Sequence, residues 1–312
     1  MKKILIGIPV LNNLEMTRAC LQKMMSHTNL EPNNLIVEIL IIDNGSSENI
    51  AEMLLKEFSN TEITIHYRKN PYNMGVAVAW NQILRFSSAP IPPPNFSYNY
   101  YVIANNDAMV CKNWLQPLMN VMEADNQVGW ISTLENGSPV LDELIEAHQV
   151  SKQYRVDPSK PFNTEAIHNS IKSIYAAWGG HDNFCRGVAD KLPPFIPFKK
   201  DVRSAVCFMV RSEMIDELGF FDEEYWPIGV SEDLEYFLRI DGIFPSTGTA
   251  TLNNSKQTSW KAGFSGKSIV HHNWCSTHQG KNFDGRKWDK EREKNWQKKF
   301  HKSKKYFTTL LS

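Results

Sequence analysis

Apolar runs and amphipathic segments alternate along the first 110 residues of the chain. Continuous apolar or β-branched runs predict strands buried on both faces, and apolar side chains three and four residues apart predict helices. The predicted strands are 3–10, 36–42, 61–67 and 100–104, and the predicted helices are 15–26, one capped by Ser47 or Asn49 that ends at Phe58, and 75–86. This alternation predicts a parallel sheet with right-handed crossovers.

The pattern weakens in the second half of the chain. Between residues 136 and 200, Gly, Pro, His and aromatic residues mix without a period, which predicts either an acceptor-side insertion or an irregular α/β segment. Beyond it, the expected elements are strands at 205–210 and 268–272, helices at 212–218 and 231–240 with Ser231 as N-cap, a polar loop or hairpin over 252–263, and a basic helix over 288–307.

The composition is that of an ordinary globular protein, with 42% apolar and 22% charged residues and no formal net charge. A neutral chain offers no overall argument for binding nucleic acids or membranes, although residues 281–305 hold eleven Lys or Arg against four Asp or Glu. The five cysteines are scattered and form no CxxC pair, so reduced thiols in a cytoplasmic protein are expected. No apolar stretch reaches transmembrane length.

Three oxygen-bearing side chains, Asn105, Asn106 and Asp107, follow the predicted strand 100–104. Polar groups at the carboxyl end of a central strand are costly unless they bind something, and ligands of open α/β sheets sit at these ends. Amide and carboxylate oxygens suit Mg²⁺ or Mn²⁺, and these ions suit a diphosphate. The alternative is a strand that ends in a simple Asn/Asp turn.

Asp43 closes a strand and opens a Gly-Ser turn. Its carboxylate could accept the imide N–H of uracil or thymine, or a ribose hydroxyl, whereas a turn that caps the next helix is the alternative. Asn73 and Gly75 could let backbone approach a ligand at a helix N-terminus, or form an ordinary turn. No GxGxxG follows the first strand and no GxxxxGK[ST] is present, which argues against a dinucleotide-binding Rossmann domain and a P-loop enzyme.

Glu232 and Asp233 begin a predicted helix after the loop 226–229. Adjacent carboxylates there are well placed to act as a general base on an attacking hydroxyl, although the helix dipole alone also favours acids in a first turn. His271 and His272 end the last predicted strand. This pair could supply a neutral imidazole to the same metal, or be structural.

In their order along the chain, these segments resemble the GT-A fold of family 2 glycosyltransferases. The motifs are Ile6–Asn12, Ile42–Ser47, Asn70–Asn81, Asn105–Asp107, Gly219–Glu223 followed by Glu232, Asp233, Arg239 and Gly242, and His271 with Ser276 and Thr277. The Asn-Asn-Asp form of the fourth motif is similar to rhamnosyltransferase-like members. The resemblance spans about residues 3–277 and implies an α/β fold, a Rossmann-like mixed sheet flanked by helices.

The resemblance implies a metal-dependent, inverting transfer of a sugar from a nucleotide-diphosphate sugar, with UDP or dTDP favoured. Asp233 would deprotonate the acceptor hydroxyl with help from Glu232, and Mn²⁺ or Mg²⁺ would be held by Asp107, Asn105 and His271. Donor contacts carry over to Pro9, Val10, Asn12, Asp43, Asn44, Arg68, Asn73, Gly75, Asn81, Asn105 and Asn106, and acceptor contacts to Trp226, Asp222 and Arg239. Asn105 stands where the family has Asp, so weaker metal binding is expected.

The expected catalytic domain covers residues 1–280. It divides into a nucleotide-sugar half, 1–135, and an acceptor half, 136–280, which contains the insertion 136–200. A basic helical extension, 281–312, follows. The acceptor would be a hydroxyl of a glycan, a lipid-linked glycan or another polymer, as in polysaccharide biosynthesis.

The basic extension leaves the acceptor open. Its helix could pack its aromatic face on the domain, contact a membrane peripherally through 286–307 toward a lipid-linked acceptor, or serve a nucleic-acid acceptor. The rival from another class is a non-catalytic sugar-nucleotide or glycan-binding protein, against which Asp107, Glu232 and Asp233 count. A sugar nucleotidylyltransferase is disfavoured because residues 9–14 hold neither Gly nor a basic side chain.

Overall fold

The computed structural model describes residues 1–30, 35–88, 97–136, 138, 140, 164–199, 203–223, 232–242, 258–273 and 294. The strands are β1 (Lys2–Val10), β2 (Leu35–Asp43), β3 (Thr64–Lys69), β4 (Tyr100–Ala104), β5 (Ala108–Val110), β6 (Val128–Glu135), β7 (Phe195–Pro197), β8 (Cys207–Arg211) and β9 (Lys261–His272). The helices are α1 (Leu14–His27), α2 (Ile50–Glu57), α3 (Val76–Leu84), α4 (Leu115–Ala124), α5 (Thr164–Ala177), α6 (His181–Asp190), α7 (Ser212–Leu218) and α8 (Glu232–Ile240).

The described strands form one nine-stranded sheet in the order β3-β2-β1-β4-β8-β6-β9-β5, with β7 paired to β9. The first four strands of this order are parallel, as the sequence pattern predicts. β8 then runs antiparallel to both β4 and β6, so the prediction of a parallel sheet does not extend beyond β4. The mixed sheet confirms the fold class that the resemblance implies.

Helices cover both faces of the sheet. α1, α2, α4, α5 and α6 pack on one face, and α3, α7 and α8 pack on the other. Successive residues of a strand point to opposite faces, so Ile4 and Ile6 join the first apolar cluster while Leu5 joins the second. Burial on both sides explains the continuous apolar runs of β1, β2 and β4.

Two helix starts follow from local chemistry. The side chain of Asn49 caps α2 by accepting a hydrogen bond from the backbone N–H of Glu52 at 3.2 Å, one of the two caps predicted. α1 begins after Asn12 and Asn13, which have left-handed φ angles of 59° and 58°. Asn tolerates this region better than most residues, so the β1–α1 turn can be tight without glycine.

Several elements escape the sequence pattern. β5 and β7 have three residues each, too short for a period to show. Residues 164–190, within the stretch 136–200 where the sequence shows no period, form α5 and α6 around a break at Gly179 and Gly180, both with positive φ. β9 begins at Lys261, inside the predicted loop 252–263, because residues 261–263 pair with β6.

The predicted basic helix over 288–307 lies outside the described residues, apart from Lys294, and so does the predicted cap Ser231. Within the part of the chain that the structure describes, no helix is long and apolar enough to cross a membrane.

Candidate active site

The carboxyl ends of the parallel strands lie side by side. Val10 is opposite Asp43, and Asp43 is opposite Lys69. Backbone hydrogen bonds continue past the strands, from Asn44 N–H to the Val10 carbonyl and from Asn70 N–H to the Asp43 carbonyl, each at 2.7 Å. Segments that are far apart in the sequence therefore meet at one sheet edge, where open α/β folds bind ligands.

Asp43 is fully buried at this edge. One carboxylate oxygen accepts the Ser46 N–H at 2.7 Å, and the other accepts the Tyr67 hydroxyl at 2.7 Å and lies 3.5 Å from Lys69 Nζ. Burial opposes ionisation, but these hydrogen bonds and the lysine charge outweigh it and hold the pKa of Asp43 below its usual value. Asp43 is therefore an ionised, well-oriented acceptor at neutral pH.

The buried Asn44 side chain organises the segment that precedes α3. Its amide donates to Asn73 Oδ1 at 3.0 Å and to the Gly75 carbonyl at 3.1 Å, and its oxygen accepts from Asn70 and from the Met74 N–H. Asn73 Oδ1 also accepts the Gly75 N–H at 2.9 Å. The structure thus brings the predicted residues Asn44, Asn73 and Gly75 together.

Gly45 allows the turn after β2 to touch this segment. Its φ is +89°, and a Cβ there would lie 2.5 Å from the Tyr72 backbone. A side chain at position 45 would therefore push the two loops apart.

Asn12 and Asn106 join the β1–α1 turn to its neighbours. Asn12 donates its N–H to Ser46 Oγ at 2.8 Å and accepts the Ser47 N–H at 2.9 Å. Asn106 donates to Thr17 Oγ1 at 3.0 Å and lies almost fully buried. Asn106 is thus held by hydrogen bonds within the protein.

A carboxylate–imidazole–carboxylate group, Asp107, His272 and Glu135, lies where β5 begins and β9 and β6 end. His272 Nε2 is 3.3 Å from Asp107 Oδ1, and its Nδ1 is 3.1 Å from Glu135 Oε2. Burial opposes a charge on His272, but the two carboxylates outweigh it and raise the pKa of His272 to about 10. The imidazolium of His272 thus offsets part of the negative charge of the two carboxylates in a largely buried place.

The two histidines of β9 point to opposite sides, as successive strand residues must. His271 Nδ1 hydrogen-bonds the Tyr175 hydroxyl of α5 at 3.0 Å, and its Nε2 lies 3.0 Å from Asn273 Oδ1. The structure therefore brings His272 to Asp107, and it does not bring His271, the residue carried over from the resemblance.

Two groups of this cluster could bind a cation together, namely the Asp107 carboxylate and Nε2 of His272. Glu135 is not a third, because it contacts the other ring nitrogen, Nδ1. In the described ranges, no group of three or more His, Cys, Asp or Glu side chains is arranged to hold a metal ion. Asn105 lies two residues before Asp107 with its N–H bonded to the Val206 carbonyl at 2.9 Å and its side chain half-buried.

Two other predicted residues, Arg68 and Asn81, make contacts within the protein. Arg68 stacks on the Phe86 ring at 4.9 Å, on the strand face opposite to Lys69. Asn81 is buried and forms two hydrogen bonds with the backbone of Phe221, at 2.8 and 2.9 Å. These contacts place Arg68 and Asn81 in support of the site's loops.

Arg239 is likewise structural, being 1% exposed. It pairs with Glu235 at 2.7 Å and donates to the carbonyls of Leu218 and Phe220. It thereby holds the turn that leads to Asp222, which is half-buried. Trp226, the remaining predicted acceptor residue, lies outside the described residues.

Glu232 and Asp233 occupy the first turn of α8. Glu232 is 3% exposed, whereas Asp233 is half-buried and its Oδ1 accepts the Leu234 N–H at 2.7 Å. Of the two carboxylates, Asp233 is therefore the one that solvent and substrate can reach. Pro9 and Val10 end β1 beside Asp43, Pro9 half-buried and Val10 buried.

Sequence reasoning missed Tyr67, Lys69 and Glu135. Tyr67 and Lys69 alternate on β3 and so share a face with Asp43, a signal that needs the strand register to be read. Glu135 is a carboxylate at the carboxyl end of a strand, the same kind of signal that drew attention to Asp43, but Ser132 and Thr133 interrupt the apolar residues before it.

A mixed sheet with helices on both faces and its polar side chains gathered at the carboxyl ends of β1, β2 and β4 defines a GT-A fold. The family model described as Glycosyl transferase family 2 matches residues 5–192, more than half of the chain. The chain belongs to glycosyl transferase family 2 and is a glycosyltransferase. Among curated proteins, no relative matches this sequence.

Two solved structures are similar in fold. The mannosyltransferase PcManGT from Pyrobaculum calidifontis, in complex with GDP-Man and Mn²⁺, has a TM-score of 0.54 and 12% identity over 99% of this chain and 68% of that one. GalNAc-T7 with UDP, GalNAc and Mn²⁺ has a TM-score of 0.50 and 12% identity over 87% of this chain and 44% of that one. At such identities the likeness shows the fold alone.

Proposed function

We propose that this glycosyltransferase transfers a sugar, with inversion, from a UDP- or dTDP-sugar to an acceptor hydroxyl and requires Mn²⁺ or Mg²⁺. The observation that carries the proposal is the shared sheet edge, where the ionised Asp43 and the pair of Asp107 and His272 follow separate strands. One end suits a nucleobase and the other a diphosphate with its cation. The solved structures of similar fold that hold a nucleotide and Mn²⁺ support this proposal.

A divalent cation fits the donors present. Asp107 offers a carboxylate oxygen and His272 a nitrogen 3.3 Å away, and Mn²⁺ accepts both ligand types. Asp107 and His272 would hold the ion, with Asn105 as a further oxygen donor, and His272 would release its proton on binding. The bound ion supplies positive charge that compensates the departing diphosphate.

Glu135 acts through His272 in this proposal. A carboxylate that accepts the Nδ1–H of a metal-binding histidine fixes the ring and leaves Nε2 free for the metal. Glu135 Oε2, at 3.1 Å from Nδ1, has this position, so Glu135 is proposed as a positioning residue.

Asp43 would read the imide N–H of uracil or thymine. It has no exposed surface, so a base reaches its Oδ2 after the Lys69 side chain, itself 48% exposed, turns aside. Each carboxylate oxygen can accept a second hydrogen bond, so Tyr67 and the base can share the group.

Asp233 would be the general base for the acceptor hydroxyl. The first turn of α8 favours its ionised form, which is the form that accepts a proton. Glu232, which is buried beside it, would hold the helix start and the base in position.

The acceptor is proposed to be a glycan or a lipid-linked glycan, met by Asp222 and Trp226. For the donor, we propose to test nucleotide deoxyhexoses first, because the Asn-Asn-Asp motif at Asn105–Asp107 is similar to that of rhamnosyltransferase-like members. A cytoplasmic enzyme that contacts the membrane peripherally through 286–307 is proposed on the basic charge of that segment. A nucleic-acid acceptor is the less favoured alternative, and co-sedimentation with anionic vesicles separates the two.

The test has two stages. UDP-, dTDP- and GDP-sugars are screened for thermal stabilisation with and without Mn²⁺, since a ligand of the folded state raises apparent stability. The stabilising donor is then assayed for free nucleoside diphosphate with pooled glycan acceptors. Release that needs both acceptor and cation supports the proposal, whereas stabilisation with no release under any acceptor supports the non-catalytic sugar-nucleotide-binding rival.

A further inference from the structure

A cavity of about 340 Å³ lies between α6, the segment before α4, and β9. Its lining includes two thiols and three cationic side chains, namely Cys111, Cys185, Lys112, Arg186 and Lys267. None of these residues belongs to the proposed donor, metal or acceptor sites. The cavity gives small molecules in solution a way to the thiols.

The two thiols reach each other from different elements. Cys111 follows β5, and its N–H donates to the Ile269 carbonyl at 3.3 Å, which ties it to β9. Cys185 lies in α6. Both side chains line the same cavity and interact with each other, and the residues are 6% and 3% exposed. The two thiols thus lie close together in the reduced protein.

His181 lies beside the pair. It is one helical turn before Cys185, with Nε2 3.2 Å from the Cys185 sulfur. Burial lowers the pKa of His181 to about 4, so its ring is neutral at physiological pH and interacts with the Cys185 thiol without adding a charge.

The two sulfurs differ in character. The hydrogen bond from Cys185 holds the pKa of Cys111 below its usual value, whereas burial raises the pKa of Cys185. Because the thiolate is the reactive form, Cys111 is the sulfur suited to attack an oxidant first, and Cys185 keeps its proton until the second step.

We propose that Cys111 and Cys185 are a site of reversible oxidative modification, at which a peroxide converts the two thiols to a disulfide. The Cys111 thiolate attacks one oxygen of hydrogen peroxide, the O–O bond breaks, and the other oxygen takes a proton and leaves as water. The Cys185 sulfur then attacks the sulfenic acid at Cys111. Its proton passes to the departing hydroxyl, which leaves as the second water. Two thiols lose two hydrogen atoms, and the peroxide is reduced to two waters.

The other two described cysteines lack this arrangement and serve as internal controls. The Cys20 sulfur faces the carbonyl oxygens of Ala108 at 3.3 Å and Asn105 at 3.7 Å. Cys207 is fully buried and hydrogen-bonded with Thr133. Neither lines the cavity, so a peroxide should spare both.

The test uses the full-length chain with Cys275→Ser, because Cys275 lies outside the described residues. Chelator-treated protein is exposed to equimolar hydrogen peroxide, then denatured, alkylated and mapped by mass spectrometry without reduction. The expected result is an intact mass lower by two hydrogen atoms and a single cross-linked peptide that joins Cys111 to Cys185. Dithiothreitol should restore both thiols.

Variants sharpen the result. Cys111→Ser and Cys185→Ser should each remove the cross-link, whereas the matched buried-cysteine control Cys207→Ser should keep it, with thermal melts as the check on folding. If a variant fails to fold, the cross-linked peptide of the Cys275→Ser protein still tests the proposal.

A parent that keeps four free thiols, that gains oxygen on single cysteines, or whose cross-link joins Cys20 to Cys207 would overturn the proposal. Zinc that survives chelation at Cys111, Cys185 and His181 and protects both thiols would overturn it too, and would assign the pair to a metal.

Discussion

The two parts of the ligand-binding edge hold their polar side chains in different ways. At the ends of β1 and β2, the polar residues are tied into backbone turns, and Asn44 alone binds Asn73, Gly75, Asn70 and Met74. Where β5 begins and β6 and β9 end, charged groups bind mainly one another, through His272. The first part is a pre-organised scaffold, and the second is a charge cluster in which one imidazolium offsets part of the charge of two carboxylates.

The difference teaches what each part can do. Rigid turns around the ionised Asp43 present a fixed hydrogen-bonding pattern, which suits recognition of a planar base. A charge cluster with a protonated imidazole can exchange its proton for a cation without leaving a carboxylate unpaired. Substitutions in the first part should therefore change donor affinity alone, and substitutions in the second should change metal dependence.

The largest effect is expected outside both parts, at Asp233. Asp233→Asn keeps shape but cannot accept a proton at neutral pH, so transfer should fall by about 10²–10⁴-fold while donor affinity stays nearly unchanged. Turnover and calorimetric donor binding are measured together, with Glu232→Gln as the matched control. Near-normal transfer in Asp233→Asn with the defect in Glu232→Gln would move the base by one residue, and full activity in both would remove the proposed mechanism.

Asp107→Ala should abolish the metal dependence of nucleoside-diphosphate binding. It removes a proposed ligand, so the loss of Mn²⁺ affinity should exceed the ~10–100-fold that outer-shell partners cost. Calorimetry with and without Mn²⁺ measures it. Unchanged nucleotide affinity and metal dependence would contradict the cation assignment and with it the contrast between the two parts.

Asp43→Ala should weaken donor binding with the metal dependence intact. A lost charge-assisted hydrogen bond costs roughly 1.5–3 kcal/mol, or about 10- to 150-fold in affinity. Donor titration and a thermal melt are compared. A variant that unfolds readily yet binds the donor normally would show that Asp43 serves the turn and not the base.

Glu135→Gln should weaken Mn²⁺ binding by about 10–100-fold, because His272 loses the carboxylate that orients it. Manganese titration followed by electron paramagnetic resonance measures this affinity. The matched control is Glu123→Gln, which removes a carboxylate that pairs with Lys2 at the start of β1. Equal Mn²⁺ affinities in the two variants would remove the positioning role of Glu135.

Tyr67→Phe is expected to have the smallest effect. It deletes one hydrogen bond that orients the Asp43 carboxylate but leaves the Ser46 N–H and Lys69 in place, so donor affinity should fall by less than the roughly 10-fold at the low end of the Asp43→Ala range. Donor titration against Tyr72→Phe, a surface tyrosine of the neighbouring loop, provides the comparison. A loss as large as that of Asp43→Ala would mean that Tyr67 contacts the base itself.

The sequence predicted the first half of the fold well, because its signals are local. The strands 2–10, 35–43 and 100–104 are rich enough in apolar residues to be recognised as buried on both faces. Asp43 stands out as the carboxylate that closes the second of them, and Asp107 as the carboxylate three residues beyond the third. Parallel strands joined by short crossovers then bring their ends together without further information.

The second half depends on pairing between distant segments. β9 lies between β6 on one side and β5 and β7 on the other, so its serines are buried and its polar start reads as a loop. The roles of Asn81 and Arg239 were also hidden, because a hydrogen bond to the Phe221 or Leu218 backbone leaves no mark in the local sequence.

The sequence by itself determined the family motifs and the parallel strands, and it marked the carboxylates Asp43, Asp107, Glu232 and Asp233 as candidates, because each is written in a few consecutive residues. Only the tertiary structure decided that His272 and not His271 faces Asp107, that Glu135 holds the same ring, and that Cys111 meets Cys185. The physical reason is strand register. Alternate residues of a strand point to opposite faces of the sheet, and contacts between residues far apart in the chain decide which residues each face meets.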